Sequence, residues 1–101
     1  MLIQQERKRE YNPLIKIFMK ITNLINGYIK ITYLNRIFVL ELPYQVMKII
    51  EFKDLSEDGL LIANCDMING NQYIRYIDLS IILQLLKIDK ILVSKENLYL
   101  E

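Results

Sequence analysis

Tyr44-Gln45-Val46-Met47-Lys48-Ile49-Ile50-Glu51-Phe52 is the stretch on which the architecture turns. Wound as a helix, it gathers Val46, Met47, Ile49 and Ile50 on one side, with Gln45, Lys48 and Glu51 opposite. Extended, it places Val46, Ile50 and Phe52 on one face and leaves Lys48 among them. The helix separates polar from apolar better, and Pro43 stands where a helix would open. Helices over 44–51 and 79–88 make an α+β chain. Strands at both places make a small β-barrel carrying an N-terminal helix.

Upstream, Asn12-Pro13 supplies an N-cap followed by proline at the first helical position. On a 100° wheel, Leu14, Ile17, Phe18, Ile21, Leu24 and Ile25 fall within about 120° of arc. Lys16, Lys20 and Asn23 lie opposite, and Asn26-Gly27 offers a left-handed stop. The pattern predicts an amphipathic helix over residues 13–25. Tyr28–Leu34 and Ile37–Leu42 are β-branched and aromatic around a tight turn at Asn35-Arg36, which predicts a hairpin.

Downstream, Lys53–Gly59 is a polar connection. Leu60–Met67 alternates, with Leu61, Ala63, Cys65 and Met67 on one face and Asn64 and Asp66 on the other. Asn69-Gly70 signals a hairpin turn, and Gln72–Ile77 returns from it. Residues 79–88 confine Ser80, Gln84 and Lys87 to a narrow arc, as in a largely buried helix capped by Asp78. Ile91–Val93 and Leu98–Leu100 suggest a last short hairpin. The expected fold is therefore α+β: an antiparallel sheet of hairpins with an N-terminal amphipathic helix and one or two further helices packed on it. Residues 1–11 form a flexible or frayed N-terminal segment, and 12–101 a single domain.

A chain of 101 residues that is 52% hydrophobic is rich in large side chains for its size. A small domain has much surface per unit volume, so the surplus points to a homodimer or to a surface for a protein partner. Candidate contacts are strand edges and the Tyr and Ile residues of the hairpins. Ile, Lys, Asn, Tyr, Phe and Met fill about half the chain, a bias of AT-rich genomes such as those of many viruses and mobile elements. A single cysteine, Cys65, excludes an internal disulfide and suits a reducing compartment. Nothing near the start resembles a signal peptide, and no run approaches the roughly 18 apolar residues of a membrane span. The expected location is cytoplasmic, in the host cytoplasm if the chain is viral, with no membrane role.

The chemistry is sparse. Without histidine, a histidine-assisted nucleophile is excluded, and one thiol cannot build a tetrahedral zinc site. Gly27, Gly59 and Gly70 lie too far apart for a phosphate loop. No catalytic residue, cofactor or metal is expected, and the chain is read as non-enzymatic. Cys65 sits on the apolar face of its strand beside Asp66, whose carboxylate disfavours a thiolate. Asp54, Ser56 and Asp58 hold the first, third and fifth positions of a calcium loop, but Cys65 stands where the closing bidentate glutamate belongs. Asp54, Ser56 and Gly59 also resemble the Asp-x-Ser-x-x-Gly half of PilZ domains, a resemblance implying cyclic di-GMP binding on a small β-barrel. The second half of that motif, Arg-x-x-x-Arg, is missing, since Arg36 is followed four residues on by Leu40. A turn needs only the residues present.

Residues 1–50 hold eight Lys or Arg against three acids, and residues 51–101 five against nine, within a net charge of +1. Arg7, Lys8, Arg9, Lys16, Lys20, Lys30 and Arg36, with Tyr11, Tyr28 and Tyr33 for stacking, form a candidate nucleic-acid-binding set. Opposite faces of one fold attracting each other explain the same asymmetry. The expected function is a small interaction module acting on a host or self protein, for example as an inhibitor. The alternative is a nucleic-acid-binding accessory protein.

Overall fold

Val46, Ile49, Phe52 and Leu55 are buried, and the two residues between each of them are exposed. In the computed structural model, which describes residues 19–88 and 94–101, this stretch is a strand. The described residues form the strands β1 (Met19–Asn23), β2 (Tyr28–Tyr33), β3 (Arg36–Glu41), β4 (Val46–Leu55), β5 (Leu60–Met67), β6 (Gln72–Asp78) and β7 (Leu98–Leu100). Among the described residues one α-helix, α1, spans Ser80–Leu86. Short 3-10 turns occupy Ile25–Gly27 and Lys95–Asn97.

The strands form two sheets, in the orders β3-β2-β1-β7 and β4-β5-β6. All pairings are antiparallel except β1 with β7. Each sheet turns one apolar face into a common core. Met19 and Ile21 of β1, Ile29 and Ile31 of β2, and Leu61, Ala63, Cys65 and Met67 of β5 are buried there, with Leu79, Ile82 and Leu83 of the α1 region. Each fully buried isoleucine contributes about 1.5–3 kcal/mol relative to exposure.

The α+β expectation is overturned: the described chain is mostly β, in two sheets with one helix. The expected N-terminal helix over 13–25 is contradicted by β1, which occupies Met19–Asn23 and buries Met19 and Ile21 while Lys20 and Thr22 face out. Residues 13–18 of that span and the N-terminal segment 1–11 lie outside the described residues. Asn26-Gly27 is left-handed, with φ of 60° and 78°, but it turns β1 into β2 instead of ending a helix.

The helix expected over 44–51 is also a strand. The ten residues of β4 face seven of β5, with register shifts between Val46 and Lys48, Ile49 and Glu51, and Phe52 and Asp54. Met47, Ile50 and Lys53 are the extra residues. Each bulge adds local twist and re-aims the side chains that follow, so one residue in three faces the core. A period of three, seen over two repeats, lies nearer the helical 3.6 than the strand 2. The barrel alternative does not hold either, since the sheets are separate and residues 80–86 are helical.

Other expectations match more closely. The first hairpin is there, with its turn at Leu34-Asn35 and Arg36 paired to Tyr33. The hairpin of β5 and β6 is in regular register. The helix over 79–88 is shortened to Ser80–Leu86 and buries only one side, with Ile81 and Leu85 exposed; its N-cap is Leu79 instead of Asp78, which accepts the Ser80 N–H at 2.8 Å. Leu98–Leu100 pairs parallel with β1; its expected partner, Ile91–Val93, lies outside the described residues.

Candidate interaction surface

The three-stranded sheet ends in two unlike edges. On β4, the side-chain amide of Asn23 donates from Nδ2 to the Ile49 carbonyl at 2.8 Å, and its Oδ1 accepts the Ile49 N–H at 2.9 Å. One side chain thus stands in for a neighbouring strand at the middle of the edge. Lys48, Glu51, Lys53 and Asp54 line the rest together with the exposed Met47 and Ile50, and Lys53 and Glu51 form an ion pair at 3.2 Å. Bulges and charges of this kind blunt a sheet edge against further pairing.

On β6, neither device is present. Its seven residues pair with β5 without a register shift, from Leu60 opposite Asp78 to Asp66 opposite Gln72. No strand lies on its other side among the described residues. Tyr73 and Ile74 are each 47% exposed and Tyr76 63%, and only Ile77 is buried. Arg75 is the one charge inside the strand, and its guanidinium lies 5.6 Å from the centre of the Tyr73 ring. Side chains alternate across the sheet: Tyr73, Arg75 and Ile77 follow Cys65, Ala63 and Leu61 on the core side, while Ile74 and Tyr76 follow Asn64 and Ile62 on the outside.

The backbone direction of β6 follows from the bonds that bracket the hairpin. The Met67 N–H donates to the Asn71 carbonyl, and the Leu79 N–H to the Gly59 carbonyl, both at 2.8 Å. In a regular antiparallel ladder, bonded pairs recur at every second residue. Tyr73, Arg75 and Ile77 therefore direct their peptide groups at β5. Gln72, Ile74 and Tyr76 direct theirs outward.

Comparison with family models, curated proteins and solved structures finds no match to this chain.

The sequence-predicted basic set is split. Arg7, Lys8, Arg9 and Lys16, with Tyr11, lie outside the described residues. Lys20 and Lys30 share the outer face of the four-stranded sheet, where Lys20 is paired with Thr32 and Tyr99, and Lys30 with Thr22 and Val39. Exposed Tyr28 lies on that face too. Glu101 is bound there: it accepts the Thr22 hydroxyl at 2.9 Å and lies 3.7 Å from the Lys20 ammonium. The hydroxyl first, then the lysine charges, holds its carboxyl below the usual range. Arg36 is on the opposite face, over the Phe38 ring at 5.4 Å, and Tyr33 packs against the core.

The connection at 54–59 is folded by its own groups. Asp54 Oδ1 accepts the Leu55 N–H at 2.8 Å, Ser56 Oγ accepts the Leu60 N–H at 3.0 Å, and the Gly59 N–H donates to the Ser56 carbonyl. Asp54 Oδ1 and Ser56 Oγ thus serve the turn itself. Among the described residues, no cluster of three or more Cys, Asp or Glu side chains is placed to hold a metal. Cys65 is fully buried, and burial pushes its thiol up; Arg75 opposes that shift and Asp66 adds to it.

The sequence pattern marks β6 only as a returning strand. The signal was in Tyr73-Ile74-Arg75-Tyr76-Ile77, which is apolar on both faces. Such a strand is either covered on both sides or left adhesive at an edge.

Proposed function

We propose that the chain is a non-enzymatic interaction module that takes a protein partner onto the edge of β6 by strand addition. The observation that carries this reading is a seven-residue, unbulged, largely apolar edge in a sheet whose opposite edge is bulged, charged and capped. Strand addition draws affinity from backbone hydrogen bonds and specificity from alternate side chains. The outward peptide groups of Gln72, Ile74 and Tyr76 supply the first, and Tyr73, Ile74 and Tyr76 the second. No described helix is long and apolar enough to cross a membrane, and a single buried thiol suits cytoplasmic work. The AT-rich coding bias fits a virus or mobile element, for which an inhibitor of a host protein is a natural role.

The test is capture of a partner by the full chain, wild type beside Ile74→Lys, followed by hydrogen exchange on the complex. The reading requires that the variant release the partner and that the Ile74 and Tyr76 amides be protected in the wild-type complex. A complex that leaves both amides exchanging freely sinks it.

A second reading, nucleic-acid binding, draws on the placement of Lys20, Lys30, Tyr28 and Tyr99 on one exposed sheet face. Glu101 offsets those lysines, so the face presents little net positive charge. Gel retardation that weakens steeply with added salt would favour this reading; no retardation at low salt removes it.

A further inference from the structure

We infer that the strand added to β6 is β6 of a second copy, antiparallel, about a two-fold axis passing through Ile74. This rests on the strand-addition reading above and assigns its partner.

An antiparallel pair of identical strands in one continuous sheet is related by a two-fold axis perpendicular to the sheet. Facing residues must then lie on the same side, which leaves three central registers: about Ile74, Arg75 or Tyr76. The Arg75 register sets two guanidiniums directly opposite each other, with no acid on that face of β6. The Tyr76 register sets Ile74 against Asp78 and Arg75 against Ile77, mismatching polar and apolar partners at both places.

The Ile74 register matches across the centre of the strand, from Gln72 to Tyr76. Ile74 meets its own copy, Gln72 meets Tyr76, and Tyr73 meets Arg75 in both directions. The strand's only internal cation lands between two aromatic rings, extending the stack it already makes on Tyr73. Because Gln72, Ile74 and Tyr76 turn their peptide groups outward, both copies of each are bonded in this register. Tyr73 and Arg75 fall at the non-bonded positions, where facing side chains approach most closely. The result is a six-stranded sheet in the order β4-β5-β6-β6-β5-β4. Both ends of it are the bulged strand whose edge Asn23 caps. Self-pairing therefore removes the open edge and creates none.

Sedimentation of the full chain over a concentration series should show a monomer–dimer equilibrium. Ile74→Pro removes an outward N–H and leaves the ladder to β5 intact, and it should weaken self-association at least tenfold. Ile74→Lys, which keeps the backbone, should do the same. Register is read by mild oxidation of single-cysteine variants, with Cys65 inert in the core. Tyr73→Cys mixed with Arg75→Cys should yield a disulfide-linked heterodimer, while Arg75→Cys alone should not link to itself. Self-linking of Arg75→Cys overturns the register. A chain that stays monomeric up to about 1 mM overturns self-pairing but leaves strand addition by a different protein standing. Free exchange of the Ile74 and Tyr76 amides in every complex would overturn both.

Discussion

β4 and β6 flank the same strand, yet they solve the problem of an open sheet edge in opposite ways. β4 spends three extra residues on bulges, exposes Lys48, Glu51, Lys53 and Asp54, and has its central peptide groups taken by Asn23. β6 has no bulge and shows Tyr73, Ile74 and Tyr76 to solvent. Protection of an edge costs regularity and apolar burial, and only one of the two edges carries that protection. Part of the apolar surface expected from composition lies on the second edge, that of β6. Exposed apolar residues do occur elsewhere, at Ile37 and Val39 on β3 and at Ile81 and Leu85 on α1, but there no equally regular contrast between two edges of one sheet accompanies them.

The protected edge is the more sensitive of the two to mutation. Gly27 has φ of +78°, and a Cβ built there would lie 2.7 Å from the Val46 carbonyl oxygen at the start of β4. Gly27→Ala combines a left-handed alanine with a clash against backbone, so it should cost about 3 kcal/mol in urea denaturation. Gly70→Ala, where φ is +89° and nothing lies within 4 Å, isolates the conformational part at about 1–2 kcal/mol. Equal losses at the two sites would show that Gly27 does not hold β4 by close approach.

Asn23→Ala comes next, at about 2–3 kcal/mol, because it strips both partners from the half-buried Ile49 peptide groups. It should also bring fast exchange of the Ile49 amide and a second adhesive edge, seen as higher oligomers in sedimentation. On the other side of the sheet, Ile74→Lys should leave stability within about 0.5 kcal/mol of wild type, the range of exposed substitutions away from special features. Its effect belongs in association. A large loss of stability there would mean that β6 is structural and not reserved for a partner.

The same contrast accounts for what could be read from the residues beforehand. β5 was legible because Leu61, Ala63, Cys65 and Met67 alternate strictly with Ile62, Asn64 and Asp66, and the register follows from that alternation. β4 was not legible, since its bulges replace the period of two by one of three and so imitate a helical stripe. β1 was misassigned for a related reason. Its five residues are too few to display alternation against a longer apolar background, and the left-handed Asn26-Gly27 serves a β-turn as readily as a helix end. Of the candidate site, Lys20 and Lys30 proved neighbours on one face, but Arg36 belongs to the other. Sequence spacing could not reveal that, because Arg36 was expected in the turn and is instead the first residue of β3, paired with Tyr33 on the core side.

The four-stranded sheet supplies the gentlest test, at the edge formed by β7. That strand is only three residues long. It is held to β1 partly by Glu101, whose N–H donates to the Ile21 carbonyl at 3.0 Å and whose carboxylate receives the Thr22 hydroxyl and faces Lys20. These contacts depress the Glu101 pKa in the folded chain, first through the hydroxyl bond and then through the Lys20 charge. A depressed carboxyl stabilises the fold fully above its unfolded value, and that contribution is lost as pH falls through the folded one. Acidification below the ordinary carboxylate range should therefore loosen β7 before it unfolds the core. Backbone exchange at Leu98–Glu101 should rise while that of β5 stays protected. Thr22→Val should flatten this pH dependence, and its persistence unchanged would assign the acid response to other carboxylates. If β7 does loosen alone, the edge of β1 becomes open only at low pH, in contrast to the edge of β6, on which no described strand lies at all.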